Sequence, residues 1–504
     1  MPEQRVRYAP LREKITTPAE AARHIAHGCN LFISGFTAGY PKLIPAELVK
    51  RAEAGEKFKI NLFAGASTGD AVDGVLARAG LVNWRRPYMS DRSMREAINR
   101  GEILFKDDHL SGLSAAVRAG EWGPVHMAVV EAAAVTEEGH LIPTLSVGNT
   151  PSYLAKAEKM ILEICDADPP ELEGIHDIYM PEDPPFRMPI PIYRAGDRIG
   201  KPYIALDPDK VVAVVYSQQA DTCAFFSEPE EVALLIAEQL LDFVRHEVRR
   251  GRLPKGLPWQ SGVGDVANAV LAGFMDDGFF SELSIYSEVL QDTVLDLIDL
   301  GKVRAASGAA LTLSERARDR FFRELNRYKE KIVLRPVEIS NAPEVIARLG
   351  VLAVNTALEV DIYGQVNSTH VMGSQMMNGI GGSGDFERNG ALSFMVTPSV
   401  AKGGAISSIV PMVSHVDHSE HSVDVIITEQ GLVDTRPLTP RQVAEAMINN
   451  CAHPDYREML LDYYQRARRE AGGHEPHLLG EALSFHQRYL ATGDMRPGRG
   501  RAQA

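Results

Sequence analysis

One carboxylate in this chain sits where a strand-like run gives way to a turn. The stretch Ile285-Tyr286-Ser287-Glu288-Val289-Leu290-Gln291-Asp292 mixes β-branched and aromatic residues and follows the acidic, glycine-containing turn Asp276-Asp277-Gly278. From Asp292 to Leu300 (DTVLDLIDL, then Gly301) a cap-type first residue and apolar positions at helical spacing predict a helix closed by glycine. A strand that hands a carboxylate to the mouth of a helix is a usual way to present a catalytic side chain. Glu288 is therefore the catalytic candidate, and a surface glutamate at a strand end is the plainer account of the same residues.

Other segments bear on the chemistry. The run Asn378-Gly379-Ile380-Gly381-Gly382-Ser383-Gly384-Asp385-Phe386 contains GxGxxG in literal form. The preceding VMGSQMM is a poor strand, and no acidic residue follows at the distance of a ribose contact, so as a dinucleotide fingerprint the run is weak. A backbone with little side-chain cover can instead come close to a ligand and donate its amides; a glycine turn needed only for folding is the alternative. Two more glycine loops follow predicted strands, at Gly35–Gly39 and Gly65–Gly69. They suit either anion binding or tight turns, and Lys42 stands where it could meet a phosphate. Neither has a Walker ending. The basic segment Trp84 to Arg100 reads as a solvated helical face, with a role in holding phosphates as the second possibility. His415, Asp417, His418 and His421, in HVDHSEH, fit no zinc spacing, and a polar loop is expected there with no metal.

The elements that must position these residues alternate strand, glycine loop and helix. Residues 15 to 28 predict a helix, Cys29 to Ser34 a strand, PAELVKRAEAG from Pro45 a helix, and Ile60 to Phe63 a strand. Such alternation predicts βα units and a mainly parallel sheet. Residues 167 to 196, rich in proline and acids, predict an extended excursion. Val211 to Tyr216 is a strand, SQQADTCAFFSEPE lacks periodicity, and a long amphipathic helix runs from Pro229 to Arg249. The boundary between two similar α/β domains, 1–222 and 223–504, is placed in that aperiodic segment, with Glu288 in the second. GLPWQSGVGDVANAVLAG repeats the strand-end, glycine, helix arrangement of the N-terminal part.

A chain of 504 residues with 45% hydrophobic and 24% charged residues is of ordinary globular composition and long enough for more than one core. Its formal net charge of −14 argues against nucleic acid as a partner. Cys29, Cys165, Cys223 and Cys451 are widely spaced, which predicts free thiols in a reducing compartment. The N-terminus lacks the apolar core of a signal peptide and no stretch approaches a membrane span, so a cytoplasmic protein without membrane association is expected.

YSEVLQD, the glycine run and the tract from His415 to Thr435 resemble the acetyl-CoA hydrolase/transferase family of class I CoA-transferases. The likeness extends from SGFTAGYPK at Ser34 to CAHPDYR at Cys451. It implies two open α/β domains of the CoA-transferase type, shared with ribose-5-phosphate isomerases. It also implies exchange of CoA between short-chain carboxylates, with acetyl-CoA and succinate the favoured pair, through a mixed anhydride and a glutamyl-CoA thioester on Glu288. The matching positions would place Asn341 and Gly382 at one oxyanion site and the Val263 backbone amide at a second. Glu429 would give polar support to the nucleophile, where a surface role is the alternative. Gly262, Gly264, Asn378, Gly381, Ser383, Gly384 and Lys402 would contact CoA. CoA is then a substrate with no tightly bound cofactor, the partners are acyl-CoA and carboxylates, and a homodimer is expected. An acetyl-CoA hydrolase using the same glutamate is the nearest rival, and a non-catalytic acyl-CoA sensor a more distant one. One departure concerns the acceptor: succinate-using members tend to carry an arginine at or near Thr222, and threonine cannot grip a carboxylate bidentately.

Overall fold

The computed structural model describes residues 2–66, 69–222, 230–262 and 264–498, with side chains from Gln4 onward. The chain packs into two compact units, each built from several stretches of sequence. The first comprises Met1–Phe226, Glu282–Leu349 and Asn378–Asp385; the second comprises Ser227–Ser281, Gly350–Met377 and Phe386–Ala504.

In the first unit seven strands form a sheet: β1 (Asn30–Ile33), β2 (Ile60–Ala64), β3 (Val82–Arg86), β4 (Leu104–Phe105), β5 (Val125–Ala132), β6 (Ala157–Cys165) and β7 (Val211–Ser217). Their order is β4-β3-β2-β1-β5-β6-β7, and every pairing is parallel. Near-continuous apolar runs such as Leu31-Phe32-Ile33 and Val129-Val130 are wholly buried, as strands covered on both faces require. The order reverses between β1 and β5, the kind of place where open α/β sheets form a crevice. The helix expected over residues 15 to 28 is confined to Pro18–Ala22. Thr17 and Glu20 close a capping box at its start. Beyond it the chain turns so that the Gly28 amide donates to the Lys59 carbonyl at 2.8 Å.

Three further parallel strands belong to this unit: β8 (Leu283–Tyr286), β9 (Val303–Gly308) and β10 (Ile332–Leu334), with β9 in the middle. Packing therefore partitions the chain differently from the sequence division at 222/223, because the stretch carrying Glu288 joins the N-terminal residues. The Val147 amide donates to the Ala309 carbonyl, that of Leu311 to Leu145, and that of Val337 to Gly148, at 2.8–3.0 Å. Arg118 clamps Glu338 through two hydrogen bonds of 2.7 and 2.9 Å. Arg335, fully buried, pairs with Asp177 and donates to the Ala195 carbonyl. That last contact anchors the proline-rich stretch, which is the expected excursion: it contains one short turn of helix, Pro170–Leu172, and no strand as far as Gly196.

Two expectations change on this frame. Lys42 does not face a phosphate: its ammonium is buried, ion-paired with Glu131 and, at 2.8 Å, with Asp221. Burial works against its charge, but the two carboxylates outweigh it and hold the lysine pKa above its usual range. The basic segment from Trp84 is only partly a solvated helix. Arg85 and Arg86 lie in β3, and Arg85 is fully buried against Asp73 at 2.6 Å; the helix is Arg92–Asn99.

In the second unit the strands Trp259–Ser261, Leu352–Thr356, Leu392–Val396 and Val425–Thr428 pair in parallel, and Gly431–Asp434 returns antiparallel to the last. The long helix predicted from Pro229 runs from Glu231 to Arg249, with Pro229 itself outside the described residues. The helices Pro440–Ala446, Pro454–Glu470 and Ser484–Thr492 follow the sheet. Tyr363, Tyr456 and Tyr464 are among the residues that fill this unit's core with Ile426 and Met447. The HVDHSEH cluster serves local structure. Asp417 accepts from the Ser368 amide and the Thr369 hydroxyl, both at 2.8 Å, and exposed His421 lies beside Glu420 at 3.1 Å.

Candidate active site

Glu288 stands two residues past the end of β8, and its backbone is fixed on both sides. The Ser287 amide donates to the Ser307 carbonyl at 2.9 Å, and the Glu288 carbonyl accepts from the Ala309 amide at 2.7 Å. Val289–Leu290 then pairs in parallel with Ala310–Leu311. The helix Asp292–Asp299 follows, capped by Gln291 in place of the expected Asp292. The Asp292 carboxylate instead accepts from the Ser314 amide at 2.9 Å, tying the turn to the next helix.

Three of the expected catalytic residues meet. Asn341 is fully buried at the end of the helix Val337–Ser340. Its Nδ2 donates to Glu288 Oε2 at 2.7 Å. Gly382 closes the third side, where a Cβ would lie 1.6 Å from Glu288 Oε2 and 2.5 Å from Asn341 Nδ2, so no other residue fits without displacing the carboxylate. Among the described residues no donor reaches Glu288 Oε1.

The electrostatics single out the same residue. Burial, helped by the nearby Asp385 carboxylate and opposed by the Asn341 hydrogen bond, pushes the Glu288 pKa up to about 8. Tyr88, pushed up to about 12 first by burial and then by the charges of Glu288 and Asp107, borders the same space. A partly desolvated carboxylate with a raised pKa, one oxygen held by an amide and the other met by no donor among the described residues, is equipped to act as a nucleophile or a base.

The glycine run is held by a segment that sequence reading did not connect with it. The Ile380 amide donates to Asp107 at 2.5 Å, and Ser111 donates to Asp385 from its amide at 3.0 Å and from its hydroxyl at 2.6 Å. A Cβ at Gly379 would lie 2.4 Å from Asp107 Oδ1, and one at Gly384 2.4 Å from His109 Cε1. Asn378 is bonded to the neighbouring Gly379 carbonyl, Gly381 has φ +61°, and the Ser383 hydroxyl donates to the Ile380 carbonyl at 2.7 Å. Asp107, His109 and Ser111 are some 270 residues upstream in sequence, and no local pattern marks them as partners of the loop. Asp385 lies within the run singled out for its glycines, but its spacing carried no sign of its role.

The remaining expected residues lie in the second unit. Gly262 follows the strand Trp259–Ser261 and donates to the Val354 carbonyl at 3.0 Å; Gly264 caps the helix Asp265–Asp276 with φ +130°. Val263 lies outside the described residues. Glu429 occupies the turn between Val425–Thr428 and Gly431–Asp434 and accepts from the Ser399 amide at 2.8 Å and from the Ser399 hydroxyl. Burial alone would raise its pKa; hydrogen bonds from Ser399 and Gln430 outweigh it and lower it. Lys402 is exposed in a short hairpin, with φ +52°. In the first unit, Thr222 is hydrogen-bonded to the Tyr40 side chain.

Comparison with known proteins places this geometry in context. Residues 1–216 match the model of the acetyl-CoA hydrolase/transferase N-terminal domain, and residues 318–464 that of the C-terminal domain. The chain is 49% identical to a succinyl-CoA:acetate CoA-transferase of Clostridium kluyveri, over 98% of this chain and 92% of that protein. It is 42% identical to an acetyl-CoA hydrolase of Schizosaccharomyces pombe, over 98% of each. In fold it is similar to the crystal structure of RipA from Yersinia pestis, with a TM-score of 0.70 at 21% identity, covering 91% of this chain and 98% of that one.

Proposed function

The chain belongs to the acetyl-CoA hydrolase/transferase family, and from that premise we propose that it is a CoA-transferase exchanging CoA between short-chain carboxylates, with Glu288 as the covalent nucleophile. The favoured exchange is succinyl-CoA with acetate to give acetyl-CoA and succinate. The observation that carries the reading is Glu288 itself. Its Oε2 is held at 2.7 Å by Asn341 Nδ2 against a glycine with no room for a side chain, and its pKa is near 8.

Ionised Glu288 attacks the thioester carbonyl carbon. As the new C–O bond forms, the carbonyl pair moves to oxygen, and its return expels the CoA thiolate and leaves a mixed anhydride. The thiolate then adds to the Glu288 carboxyl carbon and releases the first acid as its carboxylate, giving a glutamyl-CoA thioester. An acceptor carboxylate repeats both steps in reverse and restores Glu288. A carboxylate of raised pKa is the stronger nucleophile once ionised. Asn341 Nδ2, already against Oε2, is a donor for the oxyanion formed at the glutamyl carbon, and one such donor is typically worth about 10²–10³ in rate. Gly382 leaves room for that tetrahedral centre.

Gly262, Val263, Gly264, Glu429 and Lys402 are proposed as CoA-side and supporting positions on the family resemblance, together with Asn378, Gly381, Ser383 and Gly384. CoA acts as a substrate, with no resident cofactor. Residence in the cytoplasm is supported by Cys29, Cys165 and Cys451, all free and buried. No helix among the described residues is long and apolar enough to cross a membrane. A homodimer follows the family and is checked by light scattering.

The deciding experiment mixes the protein with acetyl-CoA and succinate and follows succinyl-CoA and free CoA by chromatography. Succinyl-CoA should rise with little free CoA, and Glu288→Gln should abolish it. The similarity to a protein named as an acetyl-CoA hydrolase favours one second reading, with water as acceptor. Free CoA rising at the same rate with or without succinate would select it.

A further inference from the structure

We infer that Asp385 is a positioning residue: held by Ser111, it fixes the Asn341 amide so that its NH2 end faces Glu288, and its carboxylate, sharing that donor with Glu288, adds a negative charge beside it. The inference rests on Glu288 acting as the nucleophile and names what tunes it.

The hydrogen-bond pattern leaves one arrangement. Asn341 Nδ2 lies 2.7 Å from Glu288 Oε2 and 3.2 Å from Asp385 Oδ2, donating to both carboxylates, while Asn341 Oδ1 accepts from the Ser340 hydroxyl at 2.8 Å. An amide turned end for end would place its carbonyl oxygen between two carboxylates. Without Asp385, the only charge among the described residues favouring the productive orientation would be Glu288, which loses its charge in the covalent intermediates. Asp385 keeps an acceptor on the NH2 end throughout the cycle.

Burial raises the Asp385 pKa overall, and the donors around it work the other way. The residue is nearly fully buried, and it accepts from the Ser111 amide, the Ser111 hydroxyl and Asn341. Those three donors and the nearby His109 favour the charged form against the burial that raises its pKa. Among the described residues, the titratable groups facing Glu288 are Asp385 from the glycine loop and Tyr88 after β3. Asp107 and His109, from the segment after β4, face Tyr88 and Asp385. Of these, Asp385 is the one whose charge acts on Glu288 through a shared donor.

Two variants separate geometry from charge. In Asp385→Asn the amide oxygen can keep the bonds from the Ser111 and Asn341 N–H groups, and its NH2 can donate to the Ser111 hydroxyl, so geometry survives and charge is lost. Asp385→Ala loses both. The Glu288 titration is read by infrared spectroscopy from the carboxyl band absent in Glu288→Gln, and kcat and kcat/KM are measured across pH. In Asp385→Asn the Glu288 midpoint and the acid limb of kcat/KM should move down by about one pH unit. Asp385→Ala should show the same shift and lose roughly 10–100-fold in kcat at high pH, most of it recovered in Asp385→Asn. A midpoint unmoved in Asp385→Asn overturns the inference, as does a folded Asp385→Ala with wild-type kcat. If Asp385→Ala does not fold, the infrared midpoint of Asp385→Asn decides. Failure of the nucleophile assignment shows separately, as exchange retained in Glu288→Gln with Asp385 intact.

Discussion

Replacing Glu288 with glutamine should make the protein more stable, and more so as pH rises. The unfolded chain releases this proton near the ordinary glutamate value of 4.5, whereas the folded protein holds it to about 8. Between those limits the native state binds more protons than the unfolded one, so this group's contribution falls as pH rises. Below 4.5 the carboxyl is neutral in both states and costs nothing. Above 8 it is charged in both, and the full penalty is present. At about 1.4 kcal/mol per pH unit the shift corresponds to a ceiling of about 5 kcal/mol. Glu288 retains some solvent contact, which reduces the effective penalty to about 2–3 kcal/mol. Glutamine keeps an oxygen for Asn341 to donate to, so the variant loses little that does not depend on pH. The assay is the melting temperature of both proteins from pH 4.5 to 9. The difference should be near zero at pH 4.5 and grow to about 2–3 °C in favour of Glu288→Gln at pH 8.5. A difference of the same size at pH 5 and 8.5 would refute the reasoning, because it would mean that Glu288 titrates as an ordinary carboxyl.

Other outcomes follow from the same structure. In the wild type, kcat/KM should fall as pH drops below about 8, through protonation of Glu288, and an acid limb centred near 4.5 in a pH-rate profile would contradict this. Gly382→Ala should fold, because what its Cβ meets is the far end of the Glu288 side chain, yet lose about 10²–10³ in kcat by pushing that carboxylate off Asn341; circular dichroism beside a turnover assay checks both halves. Lys42→Met should cost about 3–5 kcal/mol in chemical denaturation, because Glu131 is left buried without its cation.

Much of this was legible in the chain, and the legible part was local. The β-branched run before Glu288 and the helical spacing after it predict the strand and helix that flank Glu288, and the scarcity of side chains from Gly379 to Gly384 predicts a backbone that comes close to something. The family resemblance added Asn341, which spacing alone does not mark. The segment Asp107–Ser111 was not legible, because its bonds to the glycine loop are made only once the chain has folded. Lys42 misled for a related reason. A lysine after a glycine loop is as suitable for a phosphate as for a buried carboxylate, and only the neighbouring strand supplies Glu131. The partition into packing units was hidden too, since hydrophobic pattern records which face of an element is buried but not which other element covers it.

The discontinuous path of the first unit has a consequence for synthesis. A ribosome that has released residues up to Phe226 has supplied the seven-stranded sheet, but none of Glu288, Asn341 and Gly382. The chain then builds Ser227–Ser281, returns for Glu282–Leu349, leaves again for Gly350–Met377, and delivers the glycine loop last, at Asn378–Asp385. Domains generally fold as they emerge, N-terminal parts first. Here the nascent protein carries Glu288 for about ninety residues, some 5–20 seconds of elongation, before Gly382 arrives to confine it. The site built from Glu288, Asn341 and Gly382 is thus among the last parts of the first unit to be completed, and half-made chains carry Glu288 before the residues that confine it have arrived.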